Sequence, residues 1–220
     1  MGALKLNKRE KGCFAFLLSI IALMFLIALL PREGLGTAAQ NKALNQSRSI
    51  VIALFNYSKD HGGAYPQGKN STEVFQKLID EGYITDLSLF YVPMHGKVSS
   101  AVDAKKLKPE NNCWDMTCCL DSNSPDSTPL VFLTGYKITY QAGASAVPLD
   151  SLHDNMTRSW SDWWNGIHYP VGFLEVSYKS NSALSLRAND DGTVPNFIPA
   201  DFDPKGRTYR QLTPDGELRP

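Results

Sequence analysis

Three cysteines crowd one stretch of this chain, Cys113, Cys118 and Cys119. In an oxidising compartment thiols at that spacing form a disulfide. A bridge from Cys113 to Cys118 or to Cys119 closes a small loop around Trp114, Asp115, Met116 and Thr117; the spacing leaves the partner open and one thiol over. The rival chemistry, a zinc site, lacks nearby imidazoles, since His95 and His153 are far off in sequence. Carboxylates form a second group. Asp201 and Asp203 alternate ahead of Lys205 and Gly206 as the oxygen ligands of a calcium loop do, and Asp190 and Asp191 add further oxygens. Aspartates in turns also bond their own backbone, and that plainer role is the expected one. His61, His95, His153 and His168 are the only histidines, and none has a second ligand at metal spacing. No G-x-S-x-G, H-E-x-x-H or phosphate-cradling glycine loop occurs, so the expectation is a protein with no catalytic residues and no cofactor beyond that weak calcium candidate. Trp160, Trp163, Trp164 and Tyr169 make the densest aromatic cluster, which reads first as cover for a sheet and second as a contact rim.

These residues need elements to position them, and the first is a membrane anchor. Residues 13–30, CFAFLLSIIALMFLIALL, carry no charge and as a helix would span roughly 27 Å, close to a bilayer's hydrocarbon thickness. The run is long for a cleaved secretory signal, and a small-x-small cleavage site does not follow it directly. Lys5, Lys8, Arg9 and Lys11 precede it, which keeps residues 1–12 in the cytoplasm as a basic leader and exports the rest. The 22 basic and 22 acidic residues cancel, so the exported part is mildly acidic; no basic patch with interleaved aromatics appears, which argues against nucleic acid.

After a break over residues 31–36, Ala39, Ala43, Leu44, Ser47, Ile50, Val51, Leu54 and Tyr57 recur at helical spacing, with Gly34 and Gly36 as a weak point and a stop expected at Asp60, His61, Gly62 and Gly63. Asn70 caps a shorter helix, with Glu73 reaching back to the cap; Val74, Phe75, Leu78 and Ile79 are its apolar face and Gly82 its end. Residues 87–92, 129–141, 171–178 and 183–188 read as strands. The turn Asn189, Asp190, Asp191, Gly192 would make a hairpin continuing over 193–198, and residues 201–220 read as a loose polar tail. The organisation expected is therefore leader 1–12, transmembrane helix 13–30, exported α+β domain 31–200 and tail 201–220.

Several of these stretches together resemble the type IV pilins and the pseudopilins of type II secretion. Lys8, Arg9, Glu10, Lys11 and Gly12 before an apolar run are similar to a prepilin-peptidase site, which implies cleavage between Gly12 and Cys13. Ala53, Leu54, Tyr57, Asp60, Gly62, Tyr65 and Pro66 match the A-L-x-x-Y-x-x-D-x-G-x-Y-P pattern of major-pseudopilin-like proteins. Gly82, Tyr83, Ile84, Asp86, Phe90 and Pro93 match the G-Y-I-x-D-x-x-x-F-x-x-P that follows. The resemblance leaves 98–128 and 150–170 unexplained. It implies an α+β fold with a long N-terminal helix, membrane-spanning in its first half, packed on a small antiparallel sheet. It also implies a structural subunit of a bacterial inner membrane, single-pass, with its domain in the periplasm or at the cell surface. The partners implied are other pilin-like subunits, the assembly machinery and the prepilin peptidase, and the family's C-terminal calcium site adds weight to the aspartates above. Pilin anchors carry Phe first and Glu fifth after the cleavage point, where this chain has Cys13 and Leu17. A chain without that carboxylate is also compatible with a second class of function, a single-pass anchored extracytoplasmic binding domain that does not polymerise.

Overall fold

Helix α1 runs Glu33–Asp60 and α2 runs Ser71–Asp80. The computed structural model describes residues 19–22, 33–94, 96–99, 105–149 and 172–218. Residues 19–22 are helical, and no helix among the described residues is long and apolar enough to cross a membrane. The expected anchor over 13–30, apart from 19–22, lies outside the described residues, as do Gly12, Cys13, Leu17 and the Trp160, Trp163, Trp164 and Tyr169 cluster. The chain divides into two units, Met1–Leu35 and Gly36–Pro220, of which the second carries the sheet, α2 and nearly all of α1.

The periodicity of α1 puts Ala43, Ser47, Ile50, Val51 and Leu54 on one buried stripe. Gly34 and Gly36 lie inside this helix, not in a break before it. The stop falls at Asp60, and Gly62 and Gly63 take the positive φ values, 64° and 92°, that reverse the chain there. In α2 the Asn70 side chain accepts from the Glu73 N–H at 2.8 Å, as expected of a cap. The return bond lands one residue early, because Glu73 Oε2 accepts from the Lys69 N–H at 2.9 Å. Val74, Phe75 and Leu78 are buried, and Gly82 at φ 80° ends the helix.

The sheet is antiparallel with order β6-β5-β2-β1-β7-β8. Its members are β1 (Trp114–Cys118), β2 (Pro129–Leu133), β5 (Phe173–Tyr178), β6 (Ala183–Arg187), β7 (Arg210–Leu212) and β8 (Glu217–Leu218); β3 (Tyr136–Lys137) and β4 (Val147–Pro148) pair as a separate ribbon. The architecture is therefore α+β. Register sorts the two faces. Trp114 opposes Leu133 and Met116 opposes both Val131 and Leu212, and this face meets the helices: Trp114 Nε1 donates to the Leu89 carbonyl at 3.0 Å, Ser71 Oγ donates to the Trp114 carbonyl at 2.7 Å, and Ser47 and Ser177 hydroxyls lie 2.7 Å apart. Asp115, Phe132 and Val176 lie in one row on the other face, which irregular chain covers, with Phe197 edge-on to Phe132 at 5.4 Å.

Three strand expectations and one tail expectation need correction. Residues 87–92 are not a strand; Leu87–Phe90 form a 3-10 turn because the Asp86 carboxylate caps it, accepting from the Ser88 N–H at 2.9 Å. The run 129–141 breaks after Leu133, where Gly135 sits at φ 107° and the chain turns into the β3–β4 ribbon. Residues 193–198 do not pair with β6, whose partner is β5; Val194 bridges Ala146 instead. The stretch 201–220 is not a loose tail: β7 lies against central β1, and Phe202, Tyr209 and Leu212 are buried.

Candidate functional site

Because the buried stripe of α1 is engaged by the domain, its opposite stripe is defined by default: Asn41, Asn45, Arg48, Ile52, Phe55 and Lys59, at spacings of three and four, are all exposed. Ile52 is 48% and Phe55 51% exposed, and these two large apolar side chains lie on one helical face. Lys59 lies 5.6 Å over the Phe55 ring, leaving a cation–π edge to an otherwise apolar spot. Ile52 and Phe55 fall outside the apolar stripe that the helical periodicity marks, and the structure leaves them on the outward face.

At the C-terminal end of α1 the two signature segments meet. Tyr83 Oη donates to Asp60 Oδ2 at 2.8 Å, Tyr57 tilts against the Tyr83 ring at 5.5 Å, and His61 stacks flat on Tyr57 at 3.8 Å. His61 Nε2 is 3.4 Å from Glu81 Oε2. The bond to Asp60 pushes the Tyr83 phenol up to about 12, with burial and the Asp60 and Glu81 charges adding to it. This cluster fastens the end of α1 to the end of α2, with Tyr83 kept as a donor.

The cysteines do not pair as the sequence suggested. Cys113 and Cys118 flank the extended strand β1, so their Cα atoms stand roughly 17 Å apart at ~3.3 Å per residue, beyond the ~7 Å limit for a disulfide. Cys119 is one residue farther on. Cys113 Sγ instead accepts from the Val92 N–H at 3.2 Å, and burial, partly offset by that bond, pushes its thiol up to about 11. All three described cysteines are free, and the sulfurs of Cys118 and Cys119 lie 2.9 Å apart. No family model matches the chain, and neither a curated protein nor a solved structure matches it.

The aspartates behave as turn formers. Asp191 Oδ1 accepts from the Thr193 N–H at 2.9 Å and Asp203 Oδ1 from the Lys205 N–H at 2.8 Å. Among the described residues no group of three or more His, Cys, Asp or Glu side chains converges to hold a metal ion, so Asp190, Asp191, Asp201 and Asp203 are not brought together as a calcium cage. Sequence reasoning missed one buried polar centre. Gln211 Nε2 donates to Asp115 Oδ2 at 2.7 Å and to the Tyr136 carbonyl, while its Oε1 accepts from the Ile138 N–H at 3.1 Å. Burial pushes the Asp115 carboxyl up to about 7, an effect the Gln211 hydrogen bond offsets in part. Through Gln211 this buried carboxyl ties β1 and β7 to the β3–β4 ribbon.

Proposed function

We propose that the chain is a pilin-like, pseudopilin-type structural subunit and not an enzyme. Residues 13–30 hold it in a bacterial inner membrane, the domain from Gly36 onward is extracytoplasmic, and the outward stripe of α1 packs laterally against other pilin-like subunits. A prepilin peptidase cuts between Gly12 and Cys13, and an assembly ATPase elsewhere in the system extracts the helix into a filament.

The observation that carries this reading is the exposure of Ile52 and Phe55 on a helix whose other face is already filled by its own domain. Fully burying such a side chain is worth about 1.5–3 kcal/mol, so covering these half-exposed ones adds ~1 kcal/mol each per contact, repeated along a filament. Mass spectrometry of the mature N-terminus tests it: a chain beginning at Cys13 is expected, and one beginning at Met1 overturns the reading. Leu17 supports the second reading, an anchored binding domain that does not polymerise, since the carboxylate that pairs with a neighbour's amine in pilins has no equivalent there. If Leu17→Glu creates filaments where the native chain makes none, that second reading describes the native protein.

A further inference from the structure

In a regular strand, consecutive side chains point to opposite faces, so adjacent cysteines at the end of β1 should hold their sulfurs apart. They do not, because Cys119 adopts φ 67°, a left-handed conformation that costs a residue with a Cβ about 1–2 kcal/mol. That turn swings the Cys119 sulfur back beside Cys118, to 2.9 Å. A disulfide bond is ~2.05 Å, so less than about 1 Å of approach separates the pair from bonding. Arg210, directly opposite Cys118 in the β1–β7 register, donates from Nη2 to the Cys119 sulfur at 3.4 Å. Its guanidinium is held in place by Glu217, with Nη1 donating to both carboxylate oxygens at 2.9 and 2.8 Å. Cys118 is buried, whereas Cys119 is partly open to solvent.

We propose that Cys118 and Cys119 form a vicinal dithiol that closes to an intrachain disulfide by exchange with a disulfide-bonded oxidant, a site that stands whatever the protein's function. The accessible Cys119 thiol, facing the Arg210 guanidinium, gives its proton to solvent as its sulfur attacks one sulfur of the oxidant. A mixed disulfide forms on Cys119 and the first oxidant thiolate leaves. Burial, then the neighbouring sulfur, push the Cys118 thiol well above its ordinary value, so it stays protonated and is not the first attacker. Next to the mixed disulfide it gives its proton to the departing thiolate, its sulfur attacks Cys119 Sγ, and the second oxidant thiol leaves. Two protein thiols are oxidised and one disulfide is reduced to two thiols. Consecutive Cα atoms are only ~3.8 Å apart, below the usual ~4.4–6.8 Å span of a cross-link, so the eight-membered ring is tight and readily reopened by thiols. Closing the ring draws the Cys119 sulfur toward Cys118 at the point where β7 joins the sheet.

The test uses the full chain in detergent, equilibrated in glutathione buffers from fully reduced to fully oxidised, quenched by alkylation and digested with trypsin. All three cysteines fall on the peptide 107–137, whereas Cys13 falls on another. The expected result is that both Cys118 and Cys119 lose their label together toward the oxidising end, Cys113 keeps its label, and fragmentation places the lost hydrogens on the adjacent pair. Cys118→Ser should trap a stable glutathione adduct on Cys119, and Cys113→Ala should leave the closure unchanged. The proposal is overturned if both thiols of the native chain stay alkylatable in oxidised glutathione. It is equally overturned if the bridge maps to Cys113, or if the native chain stops at a glutathione adduct on Cys119 with Cys118 still labelled. The native-chain mapping decides the matter even if a variant fails to fold.

Discussion

The two faces of the central sheet are covered in different ways. On one, α1 and α2 lay periodic apolar stripes over Trp114, Met116, Val131 and Leu133, and the polar links are short: Ser47 to Ser177, Ser71 to the Trp114 carbonyl, Asn112 Nδ2 to Ser71 Oγ at 3.0 Å. On the other, Phe197 from irregular chain lies edge-on to Phe132 at 5.4 Å, and Asp115 and Gln211 form a buried polar centre on the same face. A face covered by helices satisfies its cover's backbone internally. A face covered by irregular chain must supply partners to that chain, which is what Gln211 does for Tyr136 and Ile138 and what Tyr178 Oη does for the Phe197 carbonyl at 3.1 Å.

Truncating one large side chain on each face tests whether both are packed cores. Trp114→Ala should cost about 4 kcal/mol, from lost burial and the stranded Leu89 carbonyl, and Phe132→Ala about 3–4 kcal/mol, each read from urea unfolding of the domain. A Phe132→Ala cost under about 1 kcal/mol would mean that the irregular layer merely lies over the sheet.

The polar centre offers the sharper contrast, through pH. Asp115 holds its proton in the folded state up to about 7, against an ordinary value of 3.8. The folded chain therefore binds the proton more tightly than the unfolded one. This group's favourable contribution is intact below the unfolded value and is lost as pH rises to the folded one, a change of roughly 4 kcal/mol at 1.36 per pKa unit. Asp115→Asn should remove that slope, leaving the variant more stable than the native chain above about pH 8 by ~2 kcal/mol after any loss of hydrogen bonding. Unfolding midpoints measured across this pH range check it; an unchanged slope would mean that Asp115 ionises freely.

The helical cover was legible and the irregular cover was not, for a physical reason. A helix writes its buried face into the sequence every three or four residues and announces its ends, so α1 and α2 could be read from Ala43 to Leu54 and from Asn70 to Gly82. Strand β1 reads Trp-Asp-Met-Thr-Cys, and its polar alternates are buried under tertiary cover: Asp115 meets Gln211, while the Thr117 hydroxyl donates to the Pro129 carbonyl and lies 2.9 Å from Tyr140 Oη. Those partners are distant in sequence, so nothing local marks the segment as a central strand. The cysteines at its ends suggested a closed loop instead. The same holds for β7, whose polar neighbourhood disguised a strand next to the centre of the sheet. Of the candidate site, the Tyr57, Asp60 and Tyr83 cluster was present as two separate motifs, and only the fold joins them. On the helical side, Asn70→Ala should cost about 1 kcal/mol by freeing the Glu73 N–H, read as a shift in the unfolding midpoint.

The smallest expected effect on stability belongs to the outward stripe of α1, and it carries the largest consequence for assembly. Ile52 and Phe55 leave half their surface in water, so Ile52→Ser with Phe55→Ser should change domain stability by less than about 0.5 kcal/mol each, against several for Trp114 or Phe132. If α1 packs on other subunits through this stripe, the same double variant should abolish cross-linking between copies in membranes while the melting curve hardly moves. A loss of both together would place the stripe in the domain's own core. Intact cross-linking with intact stability would leave the helix with no lateral partner, and the contrast between its two faces would then reflect solvent alone.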